Sequence, residues 1–140
     1  MKILLAVDGS AFSAKACRFA IRLIRALRKT PVVTLIHVDA PLSNSVVVGM
    51  GADQAKLYHA ENAEYALKPA RAALKRAGIA CREEKRIGDP GAVIAEFAGA
   101  SKTDLVVMGS HGRTALKNLV MGSVATKVIA ASAVPVAVVR

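Results

Sequence analysis

The length, composition and charge of the chain limit its class. Its 140 residues suit one domain with a single core, since soluble domains most often hold about 100 to 150 residues. Apolar residues make up 54% of the chain and aromatic residues only 4%, so the core is expected to consist of Val, Ile, Leu and Ala. Lys and Arg number 20 against 10 Asp and Glu, and the net charge of +10 attracts polyanions without identifying one.

Targeting segments and metal motifs are not predicted. An acid, Asp8, follows five apolar residues, fewer than a signal peptide contains. The uncharged, mostly apolar stretch at residues 128–139 is shorter than the ~20 residues that span a bilayer. Cys17 and Cys81 form no C-x-x-C pair, so neither a zinc site nor a redox motif is indicated. We therefore expect a cytoplasmic protein with no membrane segment and no metal site of its own.

Strands and helices are predicted to alternate along the chain. Runs of β-branched and apolar residues predict strands at residues 2–7, 32–38, 79–87, 104–108 and 134–139. Apolar residues at helical spacing predict helices at residues 12–27, 52–77 and 90–100, and in a last stretch that ends at 131. Residues 40–52 are predicted as a loop. Pro69 is expected to kink or locally open the long helix, and Asp89 followed by Pro90 predicts the start of the next one.

This alternation predicts an α/β fold of one domain over residues 1–140. We expect an open, doubly wound parallel sheet of five strands in the order 3-2-1-4-5, with helices on both faces. In that order the carboxyl ends of the first and fourth strands are neighbours, at the point where ligands bind in such sheets. The loops that follow Val7 and Met108 are therefore expected to meet.

The loop after the fourth strand contains a pattern typical of phosphate binding. From Gly109 the spacing is G-x2-G-x9-G-S. Gly109 and Gly112 are expected to allow positive φ and a close approach of backbone N–H groups to phosphate oxygens. A helix that begins at Gly122 and Ser123 directs free N–H groups and the positive end of its dipole at the same anion.

Side chains of the same loop are candidate donors. Arg113 can hold a phosphate through two hydrogen bonds, and the hydroxyls of Ser110 and Ser123 are short enough to donate without crowding the backbone. His111 is interpreted as a phosphate donor or a bystander, because no adjacent carboxylate orients it as a catalyst. The alternative is a plain strand-to-helix turn in which the glycines only cap, but three glycines with flanking hydroxyls favour the phosphate site.

Five short segments together carry a family resemblance. They are VDGS at residues 7–10, HV at 37–38, MGSHGR at 108–113, GSVA at 122–125 and VPV at 134–136. Through them essentially the whole chain resembles the universal stress protein family, and in particular its ATP-binding branch, which carries G-x2-G-x9-G-[ST]. The resemblance implies a nucleotide-responsive stress regulator that binds ATP, with or without Mg²⁺, and forms a homodimer through the C-terminal strand at residues 134–140.

The resemblance also implies roles for single residues. Asp8 would contact the adenosine and the backbone of Val38 the edge of the adenine. The ribose and phosphates would be held by Gly109, Gly112, Arg113, Gly122 and Ser123, between walls formed by Met108 and Val124, with Ser10, Ser110 and His111 also near the nucleotide. From its own chemistry, Asp8 at a strand end can accept hydrogen bonds from ribose hydroxyls or an exocyclic amine. Its alternative role is to cap the first helix together with Ser10 or Ser13.

Other nucleotide-site patterns do not fit. Residues 46–51 imitate a dinucleotide fingerprint, but Gln54 occupies its third glycine position, and the chain contains no G-x-x-x-x-G-K-[ST] loop. His37 lies in an apolar strand and is expected in the core, and His59 is expected on a helix surface. Because no base is positioned, we predict no catalytic residue. A slow ATPase or autophosphorylating enzyme that uses the same site remains an alternative hypothesis.

A basic face on the first helix supports the second hypothesis. Five cations recur every three or four residues, at Lys15, Arg18, Arg22, Arg25 and Lys29. They suit a nucleic-acid or acidic-surface binding module that is independent of nucleotide, or alternatively a solvated outer face, the usual role of charged helix faces. No interleaved aromatic residues support single-strand binding. We do not expect nucleic acid as a physiological partner, and any binding should be weak, sequence-independent and lost as salt rises. Protein partners are not identified.

Overall fold

The computed structural model describes residues 1–114 and 121–140. In this part of the chain the strands are β1 Lys2–Ala6, β2 Val32–Asp39, β3 Cys81–Ile87, β4 Leu105–Gly109 and β5 Val136–Val139. The helices are α1 Ala11–Ala26, α2 Asn44–Met50, α3 Ala52–Arg76, α4 Pro90–Ala100 and α5 Ser123–Ala131. The predicted last helical stretch falls in part on residues 115–120, which lie outside the described residues.

The five strands form one parallel sheet in the order β3-β2-β1-β4-β5, which confirms the predicted topology. β1 lies at the centre, where Ala6 is opposite both Ile36 of β2 and Met108 of β4. The carboxyl ends of these three strands therefore open at the same edge of the sheet. The crevice where the direction of winding changes lies between the loops that follow β1 and β4.

Alternation along the strands divides the core into two layers. Leu5 and Leu35 face one side of the sheet, where they are packed with Leu67 and Leu74 of α3. Leu4 faces the other side and belongs to a cluster with α4 and α5. Neighbouring strand residues point to opposite faces, so each strand contributes to both layers. Helices cover both faces of the sheet, as predicted. Among the described residues no helix is long and apolar enough to cross a membrane.

The segment predicted as a loop at residues 40–52 contains a helix. α2 spans Asn44–Met50, and the Ser43 hydroxyl caps it by accepting a hydrogen bond from the backbone N–H of Val46. Three consecutive valines and Gly49 have low helix propensity, which is why composition favoured a loop. The serine cap and the proximity of α3 offset that propensity.

The long helix α3 continues through Pro69. Because proline has no N–H, the carbonyl of Tyr65 four residues earlier receives no helical hydrogen bond from it. This turn of α3 lies against Gly9, where an added Cβ would be 2.8 Å from the Tyr65 ring and 3.3 Å from its carbonyl oxygen. Gly9 also has φ +80, a conformation that glycine adopts most readily. The loop after β1 is thereby fixed against α3.

The helices α4 and α5 are held together at one end. Asp89 caps α4, as predicted, by accepting a 3.0 Å hydrogen bond from the Ala92 N–H, and Pro90 occupies the first turn. The other carboxylate oxygen of Asp89 accepts a 2.6 Å hydrogen bond from Lys127 of α5. Gly91 allows this approach, since a Cβ there would be 2.5 Å from the Lys127 side chain. The N-terminal end of α4 is thus joined to the middle of α5.

Candidate nucleotide site

A cavity of about 490 Å³ lies at the carboxyl ends of β1, β2 and β4. Its volume is in the range of small-molecule sites, which is ~300 to 1,000 Å³. The predicted contact residues that line it are Asp8, Val38, Met108, Gly109, His111, Gly112, Arg113, Gly122, Ser123 and Val124. Ser10 and Ser110 are not among its lining residues. The fold therefore brings together the predicted site from four separate segments.

Asp8 belongs to a hydrogen-bond network at the start of α1. Its Oδ1 accepts a 2.9 Å hydrogen bond from the Ser10 N–H and a second from the Ser13 hydroxyl. The Ser10 hydroxyl accepts from the Ser13 N–H and caps the helix, so Ser10 has a structural role. The capping role considered for Asp8 is therefore real. These hydrogen bonds are made to Oδ1, and the other carboxylate oxygen of Asp8, Oδ2, takes no part in them.

Gly112 is the neighbour of that second oxygen. A Cβ added to Gly112 would lie 3.0 Å from Oδ2 of Asp8, closer than side-chain carbons normally approach. Both residues line the cavity. The missing side chain at Gly112 therefore keeps open the space between the glycine loop and the Asp8 carboxylate.

The expected positive φ angles are wrong for the loop glycines. Among the described residues, glycines with positive φ are Gly9, Gly51, Gly78 and Gly88, and neither Gly109 nor Gly112 is one of them. Gly109 is required by packing, because an added Cβ would be 2.7 Å from the backbone carbon of Phe12 in α1. Close approach at Gly109 is thus between β4 and α1, a contact that the spacing of glycines could not reveal.

The end of the glycine pattern closes the loop on itself. The Gly122 N–H donates a 2.8 Å hydrogen bond to the Ser110 carbonyl, and an added Cβ at Gly122 would be 3.2 Å from that oxygen. Ser123 is the first residue of α5, as predicted. The first N–H groups of a helix have no acceptor within it, and here that turn of α5 lines the cavity.

The Ser110 hydroxyl was expected to face the ligand, but Ser110 does not line the cavity. The residue is 1% exposed, and its Oγ is 2.9 Å from Nδ1 of His111. The backbone N–H of Ser110 donates a 2.8 Å hydrogen bond to the carbonyl of Val139 in β5. The ring of His111 is 5.0 Å from that of Phe12. Ser110 therefore joins the loop to the edge strand, and His111 forms part of the cavity wall.

Arg113 lies at the mouth of the cavity against an aromatic ring. Its guanidinium is over the ring of Tyr65, with the two centres 5.7 Å apart, within the distance of a cation–π interaction. Tyr65 is 59% exposed and packs on Gly9. Sequence reasoning missed Tyr65, because 48 positions separate it from Arg113 and only the packing of α3 brings them together.

His37 is buried, as predicted, but it also lines the cavity. Its Nδ1 is 2.9 Å from the carbonyl of Val7, so Nδ1 carries the proton and donates. In the neutral ring Nε2 is then an acceptor, and it has no hydrogen-bond partner among the described residues. An unpaired buried acceptor at a cavity wall is a feature that a ligand donor can satisfy.

A carboxylate missed by the sequence analysis, Asp39, lies beside His37 at the end of β2. Its Oδ2 accepts hydrogen bonds from His59 at 2.7 Å and Asn62 at 2.9 Å, both on α3. His59 was expected on the helix surface, but its side chain is only 13% exposed. Burial by itself raises the pKa of Asp39. The hydrogen bonds from Asn62 and His59 lower it by more, so the pKa of this carboxyl lies below its usual range. The sequence could have indicated Asp39 as a site residue, because it directly follows the predicted strand at residues 32–38, as Asp8 follows the first predicted strand.

The cavity residues are of the kinds that can bind a nucleotide. Carboxylates and a histidine acceptor at the β1 and β2 ends suit the donors of a nucleoside, while Arg113 and the α5 N-terminus suit phosphate. Gly112, which approaches the Asp8 carboxylate closely, lines the same cavity. Among the described residues, no group of three His, Cys, Asp or Glu side chains is placed to hold a metal ion.

Comparison with known proteins identifies the family. The model of the universal stress protein family matches residues 1–140. The chain belongs to the universal stress protein family. Universal stress protein MJ0531 of Methanocaldococcus jannaschii is 34% identical to it over 99% of this chain and 81% of that protein.

Solved structures of the family share the fold. The structure of MJ0577, also from Methanocaldococcus jannaschii, superposes with a TM-score of 0.84 at 28% identity and covers 99% of this chain and 94% of its own. A universal stress protein from Archaeoglobus fulgidus, solved in complex with dAMP, has a TM-score of 0.73 at 24% identity, with 100% and 98% of the two chains covered. At that identity the second likeness concerns the fold alone.

Proposed function

We propose that this universal stress protein binds ATP in the cavity at the carboxyl ends of β1, β2 and β4, and acts as a nucleotide-responsive regulator of the stress response. The observation that carries the proposal is the meeting of Asp8, from the end of β1, with Gly112 of the glycine loop in one cavity. Asp8, the proposed acceptor for the nucleoside, and Gly112, in the proposed phosphate-binding loop, are 104 positions apart in the sequence and meet only in the folded chain.

Within the proposed site each region has its own ligand group. Asp8 accepts hydrogen bonds from the adenosine, and the Val38 backbone meets the adenine edge. Gly109, Gly112, Gly122 and Ser123 surround the ribose and phosphates, and Arg113 binds the phosphate end with or without Mg²⁺. Met108 and Val124 form apolar walls. Ser10 and Ser110 support the site through the α1 cap and the β5 contact instead of binding the ligand.

Nucleotide complexes in the family support this choice. The Archaeoglobus fulgidus relative was solved with dAMP, an adenine nucleotide. In this chain the first turn of α5 lines the cavity, which supports a phosphate there because helix N-termini attract anions. We further propose that the protein acts in the cytoplasm as a homodimer joined through residues 134–140.

Binding without efficient turnover is the second part of the proposal. The two carboxylates that line the cavity are engaged, Asp8 through Oδ1 with the α1 cap and Asp39 through Oδ2 with α3. A general base needs reach to an attacking water and a suitable pKa, and the pKa of Asp39 is held below its usual range. ATP hydrolysis or autophosphorylation should therefore be slow.

The deciding experiment is calorimetric titration of the purified protein, stripped of ligand, with ATP, ADP, AMP, adenosine and GTP. We expect affinity to fall from ATP to adenosine as phosphates are removed. Mass spectrometry of the protein before stripping should identify a co-purifying adenine nucleotide. Equal affinity for ATP and adenosine would contradict the phosphate part of the site, and the absence of binding by every adenine ligand would overturn the proposal.

A further inference from the structure

The outer face of α1 carries a row of cations. Lys15, Arg18, Arg22 and Arg25 are all exposed, and we call these four the α1 cation row. At 100° per residue they fall within a sector of about 80°, so their side chains leave the helix on one side. α1 ends at Ala26, so Lys29, which was expected on this face, lies in the turn beyond the helix.

Among the described residues, no acid forms an ion pair with the α1 cation row. Residues 9–38 contain neither Asp nor Glu. The ion pairs between described residues join other elements of the fold, and none involves a residue of the row. A helix face that merely contacts water usually mixes both signs, because unopposed like charges repel one another. A row of one sign on one helix is therefore a surface that attracts anions.

The chemistry of the row narrows the kind of anion. No large apolar residue of α1 is exposed among the described residues, so the helix has nothing to insert into a bilayer. The row has no aromatic member on which a base can stack, and the Phe12 ring lies under Lys15 at 5.1 Å. Three arginines supply planar forks that match phosphate oxygens.

The length of the row is comparable to a few phosphate spacings of a duplex strand. From Lys15 to Arg25 the helix rises about 15 Å, which places a cation at every ~5 Å. Each strand of a DNA duplex presents a phosphate per ~3.4 Å of helix axis. With α1 lying along the duplex axis, the ~15 Å row passes about four phosphates of one strand, and its four cations attract them as a group without being in register with each one.

Against the expectation from the sequence that nucleic acid is not a partner, we propose that the α1 cation row is a docking surface for the phosphate backbone of double-stranded nucleic acid, recognised without regard to sequence. The surface is on the side of the protein formed by α1, and the argument for it does not depend on occupancy of the nucleotide cavity. Binding is electrostatic, and it weakens as salt rises because it depends on the release of counterions.

Two charge-matched variants test the location. One replaces three residues of the row, Arg18→Gln, Arg22→Gln and Arg25→Gln. The control removes the same charge elsewhere through Lys56→Gln, Arg82→Gln and Lys102→Gln, which are exposed on α3, on β3 and after α4. Fluorescence anisotropy with a labelled 24-base-pair duplex is measured from 25 to 200 mM salt, after thermal melting has verified that each variant is folded.

For the wild-type protein we expect the logarithm of affinity to fall with the logarithm of salt concentration at a slope of about −3.6, from four contacts at ~0.9 each. The row variant should have a slope near −0.9 and bind at least tenfold more weakly at low salt, while the control stays within about threefold of wild type. Equal losses in the two variants would mean that net charge alone acts and would overturn the proposal.

The competing ligands are tested with the same protein. A single strand of equal length should bind more weakly than the duplex, and vesicles of anionic lipid should retain less protein than the duplex at equal salt. Stronger binding by either would contradict the duplex as the occupant. Added ATP should leave duplex affinity unchanged, so failure of the nucleotide site and failure of this surface give different results.

Discussion

The guanidinium carbon of Arg113 lies 5.7 Å from the centre of the Tyr65 ring. Arg113 also lines the cavity, whereas Tyr65 does not, so the ring supports the arginine from outside the proposed site. An arginine that is already held near the cavity loses less side-chain entropy on binding phosphate. Tyr65 is therefore a positioning residue for the proposed phosphate contact.

Replacing Tyr65 should weaken ATP binding selectively. An exposed cation–π contact contributes ~0.5 to 1 kcal/mol, which corresponds to a loss of about two- to fivefold in affinity for Tyr65→Leu. Tyr65→Phe keeps the aromatic face and should restore wild-type affinity, and Tyr58→Leu on the same helix serves as a control. Calorimetry with ATP and adenosine separates the effects, because adenosine affinity should not change. A loss of equal size for both ligands would show that Tyr65 acts only on the fold.

The loop glycines should respond differently to substitution. Gly112→Val places bulk beside Oδ2 of Asp8 and should remove most of the ATP affinity with little effect on melting of the free protein. Gly109→Ala forces a carbon against the Phe12 backbone and should destabilise the free protein by ~1 to 3 kcal/mol. Urea unfolding and calorimetry on both variants distinguish these effects. Normal ATP binding by Gly112→Val would refute the phosphate site.

Asp8 can be tested without breaking the α1 cap. Asp8→Ala removes the acceptor for the Ser10 N–H and the Ser13 hydroxyl, and the lost cap should cost ~0.5 to 2 kcal/mol of stability. Asp8→Asn keeps an oxygen for those bonds but removes the charge near the cavity. We expect Asp8→Asn to melt close to wild type and to lose ATP and adenosine affinity by similar factors. Selective loss of ATP would place Asp8 at the phosphates instead.

The hydrogen bonds of Asp39 with His59 and Asn62 should make the free energy of unfolding depend on pH in the acidic range. Because hydrogen bonds from Asn62 and His59 lower the pKa of Asp39 in the folded protein, the unfolded chain binds a proton here at higher pH. The stabilisation is complete above the unfolded pKa of ~3.9 and is lost as pH falls through the lower folded value. In urea unfolding from pH 6 to 2, the difference between wild type and Asp39→Asn should be constant above about pH 5 and shrink below pH 4. A difference that grows on acidification would contradict this assignment.

The edge strand β5 provides a test of the proposed dimer. The carbonyls of Pro135 and Val139 accept hydrogen bonds from Val106 of β4 and from Ser110 just after it. The alternating residues Val136 and Val138 therefore direct their backbone groups to the open edge. Val138→Pro removes one outward N–H and should convert a dimer into a monomer, since proline is tolerated on edge strands. Light scattering at micromolar concentration measures the mass. A monomeric wild-type protein would refute the dimer.

The order of the sheet and the meeting of the loops after β1 and β4 followed from the sequence, because both depend on local patterns. Strand and helix signals alternate, and parallel strands bring Asp8 and Gly112 to one edge whatever the details of packing. The reason for Gly109 did not follow, since it depends on the depth to which α1 packs against β4. The Asp39 contacts with α3 likewise depend on the rotation of a helix 20 positions away.

α2 was missed for a different reason. Its valines favour extended structure when each is considered singly, and a seven-residue helix gives too few turns for a periodic signal. The Ser43 cap was visible but is also typical of loops. Where local preference and tertiary packing oppose each other, as they do here, sequence patterns favour the wrong element.

The hydrogen bond from Ser110 to Val139 makes the glycine loop and the outermost strand a single connected unit. If association of two copies at that strand changes the affinity for a ligand in the cavity by some factor, thermodynamic linkage requires the ligand to change the association constant by the same factor. The ratio of monomer to dimer would then depend on the concentration of the nucleotide in the cell. Signalling in this design needs no turnover, only a reversible change in how many copies are paired.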